Sequence, residues 1–218
     1  AEDYLVLGDG EPPGFPFVNW SLRWSNLEQL PLLNKLKWKV SLDHNHTGTH
    51  SRSIQNSRFP VENYTRQLQP LVGLNFNFTN GITANFRASH SLTFKRTEQG
   101  DNRVTSQQIT ASAGYQHRGG LNIPLPFFRD FTLQNTINFN LDFDFSKSLS
   151  ESRKGEELVY ATKNERENWS VKPFITYSFT NKVTGSFSFT YTERFSILTG
   201  RQIDRKVGFD MNIAIRGS

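Results

Sequence analysis

The sequence predicts an all-β fold: an antiparallel transmembrane β-barrel segment of about eight or nine long strands, with one short helix near residues 26–36. Three observations carry the prediction. Hydropathy alternates with a period of two over most of the chain after residue 66. The polar side of that alternation is mainly Asn, Thr, Ser and Gln rather than Lys and Glu. Aromatic residues gather near the ends of the alternating runs.

Two weaker strands come first, around Val18 to Trp24 and Trp38 to His46. Between them, Asn26 is placed to cap a short helix whose stripe is Leu27, Leu30, Leu33 and Leu36, with Pro31 keeping it short or kinked. Residues 50–66 read as a polar connection. Leu74, Phe76 and Phe78 then oppose Asn75, Asn77 and Thr79. Asn80-Gly81 is a strong two-residue hairpin signal. Ile82, Ala84, Phe86, Ala88, Leu92 and Phe94 share one parity, broken by His90, against Thr83, Asn85, Arg87, Ser89 and Ser91. Ile109 to Tyr115 alternates next, and residues 119–130 read as a long connection lying along an interface.

In the run 133–145, Leu133, Ile137, Phe139, Leu141, Phe143 and Phe145 oppose Asn138, Asn140, Asp142 and Asp144. Residues 148–166 are charged and read as a long loop. The last strands carry Trp169 to Phe179, Val183 to Tyr191 and Val207 to Ile215, with a turn at Asn181-Lys182. Successive strand side chains point to opposite faces, so each run is two-faced. Residues 1–218 form one domain, an extended lead-in over 1–16 and strands over 17–218.

Composition narrows the class. Only 35% of the residues are hydrophobic, yet only 21% are charged, so the chain lacks the charge of a disordered segment. Nineteen Phe supply its apolar surface. Mean hydropathy is −0.57. No apolar run approaches the ~20 residues of a spanning helix, which excludes a helical membrane protein. Zero cysteines exclude a disulfide scaffold and thiolate metal sites. The net charge of +5 is scattered and points only weakly to anionic partners. No leader opens the chain, which fits a removed signal or the C-terminal piece of a longer protein.

Alternation alone also fits a soluble sandwich or a lipocalin-like binder with a dry interior. Run length favours the membrane, because a tilted spanning strand needs ~9–11 residues. An open edge in lipid would leave unpaired backbone groups, so such a sheet must close. With the final strand ending in the periplasm, short turns fall inside and the loops at 50–66 and 148–166 outside. The connections at 25–37 and 119–130 are the exceptions, long and inside. The candidate lipid-facing residues are Phe76, Phe86, Phe139, Phe143, Phe187 and Phe189. The candidate lumen-lining residues are Asn75, Asn77, Asn85, Arg87, Asn138, Asn140, Asp142 and Asp144.

Catalytic chemistry is not indicated, and no cofactor or metal is expected. The sequence holds no G-x-S-x-G, P-loop or dinucleotide fingerprint. His44, His46 and His50 share a parity but read as a polar strand end entering a loop. Asp142 and Asp144 read as lumenal charges rather than a catalytic carboxylate pair. Charges and aromatics fall on opposite faces, which is wrong for a nucleic-acid groove.

Residues 16–33, PFVNWSLRWSNLEQLPLL, are similar to a stretch near the C-terminus of the SprA (Sov) proteins, with Asn26 where that family usually has Gly. Residues 69–96, beginning QPLVGLNFNF, resemble a family strand pair, and 121–144 resemble a third block in the right order. The last strand also resembles an outer-membrane assembly signal through Lys206, Gly208, Met211 and Ile213, without the usual terminal aromatic. The resemblance implies the translocon of the type IX secretion system, tied to gliding motility and the cell surface. Its fold is a very large single-chain outer-membrane barrel that passes folded cargo. This chain would be its C-terminal set of strands. Outer-membrane lipid, secreted cargo proteins and plug or accessory proteins are the implied partners, and the bacterial outer membrane the implied location. The alternative is a complete small outer-membrane barrel acting as a pore, adhesin or structural protein.

Overall fold

The computed structural model describes residues 18–30, 38–54, 60–119, 121–125, 128–133, 135–155, 159–180 and 182–214. Eleven strands follow one another: β1 (Trp20–Trp24), β2 (Trp38–Ser53), β3 (Val61–Phe78), β4 (Ile82–Thr97), β5 (Gly100–Arg118), β6 (Leu121–Leu125), β7 (Phe128–Leu133), β8 (Thr136–Arg153), β9 (Ala161–Ser178), β10 (Val183–Ser196) and β11 (Gly200–Ile213). Nine of them form one antiparallel sheet in the order β1-β2-β3-β4-β5-β8-β9-β10-β11, while β6 and β7 pair as a separate hairpin. The sheet is open: β1 and β11 are its two edges. It is barrel-like in its long antiparallel meander.

The strands from β2 onward in the large sheet run 14 to 19 residues, against a usual ~5–6. Two connections expected to be long are largely strand. β2 continues to Ser53 and β3 starts at Val61; β8 continues to Arg153 and β9 starts at Ala161. Hydropathy stops alternating there because both faces are polar, while backbone pairing carries on. The expected contrast of short turns at one end and long loops at the other is therefore lost. What distinguishes the two ends is the polar extension of the strands. The end holding Asn80-Gly81 is called here the near end, and the opposite one the far end.

Turn chemistry is local. Gly81 takes φ 84°, and the Ile82 amide donates to Asn80 Oδ1 at 3.4 Å. At the far end, Glu98-Gln99 joins β4 to β5 without the usual turn residues in the middle. Gly100 supplies the freedom instead, at φ 137°. A Cβ there would sit 2.1 Å from the Arg153 carbonyl oxygen, a distance no side chain tolerates. Pro70 and Pro173 lie inside long strands, where a missing N–H must fall at an irregularity. The β3–β4 register shifts between Leu68 and Val72, and the β9–β10 ladder skips from Phe174↔Ser188 to Val171↔Tyr191.

Three expectations are corrected. Within the described residues the 26–36 segment shows a single 3₁₀ turn, Leu27–Gln29, rather than an α-helix; Pro31, Leu33 and Leu36 lie outside them. Asn26 makes no side-chain cap, because it sits in the left-handed region at φ 61°. Its carbonyl accepts from the Gln29 amide instead. β1 has ended by this level, so the Val40 amide is left without a strand partner and donates to Glu28 Oε2 at 3.1 Å. The 119–130 connection contains β6 and the first half of β7, and Leu133 closes that hairpin rather than opening β8.

Candidate functional site

The registers sort every long strand into two faces. One apolar row runs Val40↔Phe76↔Ala84↔Ala113↔Leu141↔Pro173 across six strands. A second runs Leu42↔Leu74↔Phe86↔Ala111↔Phe143↔Val171↔Tyr191. A third runs Ile82↔Tyr115↔Phe139↔Ile175↔Phe187↔Phe209. Phe189 belongs to the same face, opposite Val207. All six Phe candidates thus lie on one side of the sheet.

The eight polar candidates lie on the other side. One row there is Ser41↔Asn75↔Asn85↔Ser112↔Asp142↔Lys172, and the next is Asn77↔Thr83↔Gly114↔Asn140. Arg87, Thr110 and Asp144 align in a third, and Asn138 pairs with Gln116. Neighbours within this face bond to one another. Asn75 Nδ2 donates to Ser41 Oγ at 3.2 Å and to Asp43 Oδ2 at 3.3 Å, and Asn85 Nδ2 donates to Ser112 Oγ at 3.3 Å. Lys172 Nζ lies 3.2 Å from Asp144 Oδ2. Such pairs leave the surface polar and nearly neutral.

Neither face has a covering layer among the described residues. No described side chain is less than 2% exposed. Phe86 is 37%, Phe187 44% and Phe209 67% exposed, while Asn77, Asn85 and Asn140 are exposed on the reverse side. A sandwich or lipocalin core would have sealed the rings between two layers.

The apolar surface is a band, not the whole face. On β8 it runs from Ile137 to Phe145, about 26 Å along the strand. Barrel walls in outer membranes carry an apolar band ~25 Å tall edged by aromatic rings. Here the near edge holds Trp38 against Phe78 at 4.7 Å and Tyr177 against Phe179 at 4.9 Å. The other edge holds Trp169 against Tyr191 at 4.8 Å and Tyr64 against Phe94 at 6.1 Å. Trp169 and Tyr191 are mid-strand rather than at strand ends as expected. The rings mark where the band ends, and the strand goes on.

Beyond the band the same face becomes charged, an arrangement hidden in the sequence because its members are far apart. The register lines up Arg52↔Glu62↔Arg96↔Asp101↔Arg153 across five neighbouring strands. Arg96 Nε lies 3.3 Å from Asp101 Oδ1, Arg52 Nε 3.5 Å from Glu62 Oε1, and Arg153 Nη2 reaches Asp101 Oδ2. One step inward, Arg103 Nη2 sits 2.7 Å from Glu151 Oε2. Arg103 and Arg153 both lie over the Tyr160 ring, at 4.8 and 4.9 Å. Burial raises the Tyr160 hydroxyl above its ordinary pKa, partly offset by these guanidinium groups.

The three histidines fall within β2, on the apolar-band face, not at a strand end. His44 Nδ1 meets the Leu71 carbonyl at 2.5 Å with its ring 4.3 Å from Trp20; His46 Nδ1 meets the Val18 carbonyl at 3.0 Å; His50 stacks on Tyr64 at 4.2 Å. Among the described residues no group of three or more ligating side chains gathers to hold a metal ion. No protein-family model matches the chain, and the comparison with curated proteins finds no match.

Proposed function

We propose that the sheet is a wall segment of an outer-membrane β-barrel that conducts secreted proteins, of the type IX kind that the sequence resembles. The observation that carries the membrane reading is the bare apolar band, edged by rings on both sides, in a sheet one layer thick. A continuous apolar face of this extent on one layer needs a covering, and hydrocarbon is the covering that strands of this length and girdle spacing fit.

The edges support a segment of a larger barrel. β1 and β11 run in the same direction, from the far end toward the near end. Direct closure would pair them in parallel. An all-antiparallel barrel needs an odd number of further strands between them. In this reading the far end is outside, because most of the polar chain beyond the band lies there.

The conducting role rests on the resemblance and on the character of the reverse face. Asn75, Asn85, Ser112 and Asn140 present short, uncharged donors and acceptors, which hold water and offer a passing polypeptide no apolar or strongly charged grip. Transport through such a wall is passive, and opening and closing belong to other parts of the machine. Photo-crosslinking in the full-length protein tests this directly. A photoreactive residue at Asn85 or Asn140 is expected to capture cargo during secretion, and one at Phe86 or Phe139 lipid alone. Cargo captured equally from both faces, or from neither, contradicts the proposal.

A further inference from the structure

Five neighbouring strands place Arg52, Glu62, Arg96, Asp101 and Arg153 in one row, three guanidinium groups alternating with two carboxylates. The row shares its face with the apolar band. On β4 it begins at the first outward-facing position after Phe94, about 7 Å further along the strand. The polar layer of a bilayer is of that order on each side, since it adds ~10–15 Å in total to a ~30 Å hydrocarbon core. Where it crosses β4 the row therefore stands at headgroup depth, and on β8 it stands further out, Arg153 lying eight residues past Phe145. The Arg96 guanidinium lies 5.5 Å from the Phe94 ring, so it bridges the two zones.

A ladder built only to hold register would balance its charges. This one has an excess of guanidinium, and Arg153 Nε and the Tyr160 hydroxyl beside it find no acceptor among the described residues. Arginine forks match phosphate oxygens as well as they match carboxylates. We propose that this row binds the phosphate-monoester headgroups of a membrane lipid, the carboxylates of Glu62 and Asp101 holding the forks apart and aimed outward. The proposal rests on the reading that the Phe86 face meets lipid, and goes beyond it by naming a ligand and a site.

The test uses the whole chain in nanodiscs of zwitterionic lipid doped with diphosphoryl lipid A or with its dephosphorylated form, lipid retention being read by native mass spectrometry. At least tenfold preference for the phosphorylated form is expected. Sodium phosphate at the same concentration is expected not to displace it. The double substitution Arg96→Gln, Arg153→Gln should remove the preference. Glu62→Gln provides the contrast, because it releases the Arg52 guanidinium that Glu62 holds: retention should rise even as the ladder loosens. Equal retention of both lipids, displacement by free phosphate, or a Glu62→Gln variant that loses retention overturns the proposal. Quenching of the fluorescence of the four tryptophans by brominated lipid is measured alongside. Absence of quenching overturns the membrane reading and this site together; quenching without phosphate preference overturns the site alone.

Discussion

Two halves of the same sheet face obey different physics. From the near end to the level of Ala88, Ile109 and Phe145, the face is mainly Phe, Leu, Ile, Val and Ala. Level with Phe94 the neighbouring strands already carry Arg103 and Glu151 on that face, and level with Arg96 they carry Asp101, Arg153, Glu62 and Arg52. Among the described residues, the ion pairs concentrate in the far half. There Lys147 Nζ is held by Glu165 at 2.7 Å and Glu167 at 2.6 Å, and Arg201 meets Glu193 at 2.7 Å. At band level, Arg23–Asp43 and Lys172–Asp144 lie on the amide face instead. Backbone pairing is the same in both halves. What changes is the medium that the side chains are built to meet: hydrocarbon tolerates no charge, and water or headgroups tolerate many.

Substitutions break this comparison in a fixed order. The largest effect is expected from Leu141→Arg, at the centre of the band. It should cost about 2–4 kcal/mol of folding free energy in lipid vesicles, while Arg at Asn140, one residue back and facing the other way, should cost little. Denaturant titrations of both variants in the same vesicles check this. Next comes Gly100→Ala, which puts a Cβ against the Arg153 carbonyl at a positive φ. A cost on the order of 2 kcal/mol is expected, with faster amide exchange confined to the far ends of β4 and β5.

Smaller still is Arg103→Gln. It removes a partly exposed pair with Glu151 and should cost about 0.5–1 kcal/mol, fading as salt is added. Smallest is Asn85→Ala, where a single bond to Ser112 is lost on an exposed surface and the change should stay within about 0.5 kcal/mol. A reversed order, with the charge pair outweighing the band residue, would mean that the apolar face is not in lipid.

The contrast also explains what could be read from the sequence. Period-two alternation locates a strand only where one face is apolar and the other polar. It therefore found the band half of every long strand and stopped near His46, Phe145 and Trp169, where β2, β8 and β9 carry on. The Glu98-Gln99 turn was invisible because its glycine comes after the central pair, at Gly100. The hairpin of β6 and β7 was hidden behind Gly119, Gly120, Pro124 and Pro126, although Leu121, Ile123 and Leu125 already alternated. The two faces were legible, since parity alone assigns Asn85 and Phe86 to opposite sides. The charged row was not. It exists only once register is known, and Arg52 is 101 residues from Arg153 in the chain.

The most direct test sets Asn85 against Phe86, neighbours in sequence on opposite faces. The chain has no cysteine, so Asn85→Cys and Phe86→Cys each introduce a single reactive group. In membranes, a water-soluble maleimide should label Cys at 85 and spare it at 86, and a bilayer-dissolved quencher should reach a fluorophore at 86 and not at 85. Equal aqueous labelling of both positions, or quenching at 85 alone, contradicts the account.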